Sequence, residues 1–150
     1  MTAQVHVLGP WSRRTVRALA EVVMPNVEGA PRVPVADVVA IVDDWVRYMP
    51  RLFRVLFPIG LALLELGAFL LGPSLVPFSM MSIARRERYV DGWVHARWRL
   101  RRDLIKGVKG LVLVAYYSDP KVCAYLGYRV EEHVQLVKAE RLKRYAHELH

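Results

Sequence analysis

The sequence predicts an all-α protein, a compact bundle of about five helices with one strongly hydrophobic member. Three observations carry that prediction. Apolar residues recur at intervals of three and four in successive segments, the period of one helix face. Proline and glycine gather mostly between those segments, where helices end. A chain of 150 residues with 54% hydrophobic content can bury one proper core, which favours a single domain over residues 1–150. There is no internal repeat and no low-complexity tract.

The first helix is read from SRRTVRALAEVVMP, where Ser12 is a candidate N-cap and Val16, Leu19, Ala20 and Val23 share a face. Ser12-Arg13-Arg14 has the look of a twin-arginine export signal. Glu21 interrupts the apolar stretch such a signal needs and Pro25 closes it, so the segment is expected to be a retained amphipathic helix. After a Gly- and Pro-rich loop, Val35, Val38, Val39, Val42, Trp45, Val46 and Met49 form the stripe of a second helix, ended by Pro50. Asp43 and Asp44 are adjacent and point apart on that helix. They are read as solvated surface or as ion-pair partners of Arg47, not as an acid/base pair.

Residues 55–72, VLFPIGLALLELGAFLLG, reach the lower length limit for a membrane-spanning helix. Glu65 in the middle and the breakers Pro58, Gly60 and Gly67 argue against a span, which leaves a packed helix or a membrane-dipping element as the other readings. In a packed helix Glu65 is expected to meet a polar group of a partner; in a lipid-facing helix it is an expensive charge. Ser82 then starts a long helix with Val90, Trp93, Leu100, Leu104 and Leu111 on one face, running to Tyr117 and stopped by the Asp119-Pro120 turn. The last helix, within 129–150, is charged in both signs, with Val130, Val134, Val137, Tyr145 and Leu149 available to dock.

Chemistry is scarce. The lone Cys123 cannot form an internal disulfide, and no Cys and His spacing matches a zinc site. Glu87, Asp91 and His95 recur four residues apart on one helix face, too few ligands for a metal site by themselves. Gly107 and Gly110 lie in an apolar helix, and no phosphate-binding glycine motif occurs. The net charge is +8, and residues 85–109 hold nine Arg or Lys against Glu87, Asp91 and Asp103, a net +6. Such a face suits phosphate, anionic lipid or an acidic protein, or is simply solvated. Nucleic acid is disfavoured because the same helix carries an apolar stripe and no binding motif accompanies it.

Two stretches resemble known families. LAEVVMPNVEGAPRVPVADVVAIVDDWV is similar to the opening of gluconate dehydrogenase small subunits: a helix ending in Val or Ile before Pro, a Gly-Ala loop, then a helix carrying Asp. MSIARRERYVDGWVHARWRLRRDLIKGVKGLVLVAYYSDPKVCAYLGY resembles the helical region before the flavin domain of long-chain fatty alcohol oxidases. There a Ser-started helix carries Arg and Trp, here Arg86 and Trp93, runs into paired aromatics, here Tyr116-Tyr117, and closes at Gly-Tyr, here Gly127-Tyr128. The matches together cover roughly residues 12–128 as diffuse helical patterns, not catalytic signatures.

In those oxidases a glucose-methanol-choline flavin domain follows, whereas here a charged helix does. The resemblance therefore implies an accessory subunit without catalytic, cofactor or metal-binding residues of its own, beside a separate polypeptide that carries FAD. The single cysteine favours a reducing, cytoplasmic setting, peripheral to the inner membrane in one version. The expected partner-binding residues are Arg97, Trp98, Tyr116, Tyr117, Tyr125, Gly127 and Tyr128. Trp98 and Arg97 lie off the stripe that places Trp93 in the core, and the tyrosines either offer apolar area with hydroxyl handles or close the core themselves. The alternative is a membrane-surface module that inserts residues 55–72 and turns the 85–109 basic face toward anionic lipid.

Overall fold

Helix α1, Pro10–Val23, begins earlier than the expected Ser12 cap, with Gly9 at its N-cap position. The computed structural model describes residues 7–71, 76–128 and 130–145. Proline suits the first helical position because its missing N–H would be unpaired there in any case. Ser12 therefore falls inside the helix and is buried beside Thr15, Val16, Leu19 and Ala20. This helix is the hub of the fold and packs against every neighbour from α2 to α5, including a short 3-10 helix at Phe78–Met80.

Helix α2, Val35–Tyr48, buries the expected stripe: Val38, Val39, Val42 and Val46 are enclosed, and Val35, Trp45 and Met49 pack on their margin. Asp43 departs from the solvated-surface reading. It is buried, and its Oδ1 accepts the N–H groups of Val7 at 3.0 Å and Leu8 at 2.6 Å, which ties the segment before α1 to α2. Asp44 is exposed.

Helix α3, Arg51–Leu71, runs straight through all three presumed breakers. Pro58 lacks the N–H that would bond the Arg54 carbonyl, but residues 51–56 are exposed, so water can take that carbonyl. Gly60 and Gly67 are contact positions. A Cβ at Gly67 would stand 2.9 Å from the Tyr89 hydroxyl and 3.0 Å from a Trp93 ring carbon, while one at Gly60 would lie 3.6 Å from Leu104. The bare backbone of Gly67 lets the helix that carries Tyr89 and Trp93 close on α3, whereas at Gly60 a methyl group would meet its neighbour at ordinary contact distance.

The long helix expected from Ser82 to Tyr117 is two: α4, Ile83–Val94, and α5, Arg99–Tyr117. No Pro or Gly marks the break. Arg102 stabilises it by donating to the carbonyls of Ala96 at 2.7 Å and Arg97 at 3.1 Å, which have lost their helical partners. The break also rotates the buried face. Val90 and Trp93 remain inside, but Leu100 is 72% exposed and Leu104 and Leu111 are only half-buried, while Ile105, Val108 and Val112 form the deep face of α5.

Asp119 and Pro120 start a further helix, α6, Pro120–Tyr125, in which the Asp119 carboxylate accepts the Lys121 N–H at 2.8 Å and Pro120 takes the first position. Gly127 closes it at φ 68°: its N–H bonds the Ala124 carbonyl and the Tyr128 N–H bonds that of Cys123, the paired bonds of a Schellman ending. Helix α7, Val130–Tyr145, packs extensively on no other element. From His133 to Tyr145 only Val137 is half-buried, so Val134 and Tyr145 do not dock; Leu149 lies outside the described residues. Seven helices and no strand are found among the described residues, more helices than the five expected because of the α4–α5 break and α6.

Candidate docking face

Glu65 is the sole acidic residue of α3 and is 1% exposed. A buried carboxyl group is costly unless hydrogen-bonded. Here Thr15 Oγ1 donates to it at 3.0 Å, Ser79 Oγ at 2.5 Å, and the Ser79 N–H reaches both of its oxygens at 3.2 Å. The polar partner expected from a second protein is thus supplied by α1 and the 3-10 helix of the same chain. Ser79 also links this group to Arg86, whose Nη2 approaches the Ser79 carbonyl at 3.5 Å. Arg86 donates further to the carbonyls of Met81 at 2.9 Å and Ala18 at 3.3 Å and pairs with Glu21. Four elements are pinned by two side chains. Beside them, Tyr89 donates to the Leu64 carbonyl at 3.0 Å, and burial pushes its hydroxyl up to about 12.

Because the one acid of α3 faces inward, the opposite face is free of charge. Leu52, the pair Val55 and Leu56, Ile59, Leu63 and Leu66 recur along one helix face and are all exposed, with Phe69 at the edge. The stripe is about 25 Å long at 1.5 Å per residue. Arg51 and Arg54 flank its N-terminal end. An exposed apolar surface of this continuity marks a contact with another protein or with lipid. Sequence periodicity could not reveal it, since both faces of α3 are apolar; the one available signal was Glu65, which marks the inside.

The residues expected to bind a partner do not form one patch. Arg97 is exposed and Trp98 is 69% exposed, at the α4–α5 junction. Tyr117, Tyr125, Gly127 and Tyr128 are also exposed, but around the far end of α5, about 27 Å away along its axis. Tyr116 is 3% exposed and belongs to the core, its ring edge-on to Tyr117 at 5.1 Å. Gly127 serves the ending of α6. About half of the basic run is engaged within the chain: Arg86, Arg88 and Arg102 bind carbonyls, Arg101 lies 5.0 Å over the Trp93 ring, and Arg99 pairs on the surface with Asp103 at 3.3 Å. Arg85, Arg97 and Lys106 are exposed.

Asp91 and His95 meet at 3.1 Å on the surface, and no cluster of three metal-ligating side chains occurs among the described residues. Cys123 is half-buried, and its thiol donates to the Tyr117 carbonyl at 3.1 Å. Comparison with family models, curated proteins and solved structures finds no match to the chain.

Proposed function

We propose that this chain is a non-catalytic helical subunit of a separate FAD-dependent oxidoreductase of the glucose-methanol-choline type. The observation that carries the docking part of this reading is the uncharged outer face of α3, set on a helix whose inner face is already fixed by Glu65. The resemblance in residues 19–46 and 81–128 supplies the type of partner. FAD belongs to that partner, and the bound subunit stabilises it and shapes access of a lipophilic alcohol or sterol. Coexpression with tagged flavoproteins of this type from the same genome should give a complex that co-elutes with flavin absorbance. Ile59→Asp and Leu63→Asp should abolish co-elution while leaving helicity intact. Lack of association with every such flavoprotein would sink the proposal.

A second reading, attachment to a membrane surface, is favoured by one observation: the window Arg51–Phe69 has mean hydropathy 1.8. A full span is the poorer version of it, because α1, packed on α3, brings Arg13, Arg14 and Arg17 with it. Flotation of the chain alone with anionic vesicles, lost in Leu63→Asp, would favour lipid over a protein partner.

A further inference from the structure

Helices α1 and α2 face each other across a groove of about 450 Å³. One wall is Arg13, Arg14 and Arg17; the other is Ala36, Val39 and Ala40. Each set repeats at three- and four-residue steps and so lies along one side of its helix. The two alanines leave the space that larger side chains would fill. Pro10 and Asp43 also line the groove, and an Asp43 oxygen already receives the Val7 and Leu8 N–H groups. Three cations thus stand against one engaged carboxylate.

None of the three guanidinium groups makes a hydrogen bond or ion pair among the described residues, and the Nε of Arg13 is buried without a partner. All three sit in the first two turns of α1, whose N-terminus has no side-chain cap. Repelling guanidinium groups at the positive end of a helix dipole are unfavourable unless an anion joins them. Guanidinium forks match the several acceptor oxygens of a tetrahedral phosphate better than a single point charge would.

We infer that this α1–α2 groove binds a phosphate-bearing anion, with Arg13, Arg14 and Arg17 holding the phosphate and Val39 with the alanines accommodating the apolar part next to it. A soluble phosphate ester and a lipid phosphate headgroup share that chemistry. The inference does not depend on the docking face of α3, which lies on another helix.

The test uses the full chain in a nonionic detergent, which covers the apolar face. Thermal unfolding is followed against inorganic phosphate or chloride at equal ionic strength, and, in a second arm, binding to detergent micelles doped with phosphatidic acid is compared with binding to undoped ones. The wild type should be stabilised by phosphate over chloride or bind the doped micelles. Arg14→Gln/Arg17→Gln, at two exposed positions outside the core, should weaken the apparent affinity about tenfold or more. Arg85→Gln/Arg88→Gln removes the same charge from exposed positions on α4 and should change it little. A response to the doped micelles alone assigns the lipid source; a response to inorganic phosphate assigns a soluble ester. Equal loss in both double variants, or no phosphate-specific response in either arm, overturns the site.

Discussion

At the residue scale, Glu65 shows how a charge that counts against burial becomes a structural tie. Replacing it with Leu leaves both Ser79 donors without their acceptor and the Thr15 hydroxyl with only the Trp11 carbonyl at 3.3 Å, at a cost of about 1–3 kcal/mol. Chemical denaturation should show that loss, whereas the outer face of α3, and with it any attachment to lipid, should be unchanged. Tyr89 gives a pH test. Its hydroxyl is held up to about 12 in the folded chain against an ordinary value of 10.0, so the folded state keeps a proton that the unfolded chain has released. The stabilisation it lends is fully present below pH 10 and disappears as pH rises from 10 to 12. Relative to wild type, Tyr89→Phe should therefore lose stability less steeply across that window in melts taken at successive pH values.

At the element scale, the two glycines of α3 should respond oppositely. Gly67→Ala forces a Cβ against Tyr89 and Trp93 and should destabilise by about 1–3 kcal/mol, the range for overpacked cores. Gly60→Ala meets Leu104 at ordinary contact distance and gains helix propensity, so its melting temperature should hold or rise. How much of the fold could be read in advance differs helix by helix for physical reasons. The α2 stripe was legible because valines alternate with Asp and Ala in helical period, and the Asp119-Pro120 pair was legible as a turn because cap chemistry is local, whereas Gly127-Tyr128, expected to bind a partner, ends α6. The α4–α5 break was not, since it depends on Arg102 reaching back to Ala96 and Arg97, which no local propensity encodes. The rotation that follows the break is why Leu100 and Tyr116 exchange the surroundings a continuous helix would give them. Trp98 was recognisable as an aromatic residue off the main stripe, whereas the tyrosines were left between an exposed surface and the core, and the structure divides them, with Tyr116 inside and Tyr117, Tyr125 and Tyr128 outside.

At the scale of the whole molecule, the core lies within α1 to α6 and α7 adds little to it. Leu136→Ser/Leu142→Ser on exposed sites of α7 should leave unfolding within about 0.5 kcal/mol of wild type, the usual range for surface changes. A larger loss of stability would show that α7 packs on the bundle after all. Glu65 has one more consequence, set by the order in which the chain is made. Its acceptor atoms wait for Ser79, fourteen positions downstream, while Thr15 is synthesised well before it. Until the 3-10 helix has emerged from the ribosome, α3 is an oily rod with a half-solvated acid on one side and nothing to cover the other. Nascent chains in this interval are vulnerable to aggregation. The order of synthesis therefore makes the stretch between Glu65 and Ser79 the point at which this chain gains most from early cover of its apolar rod.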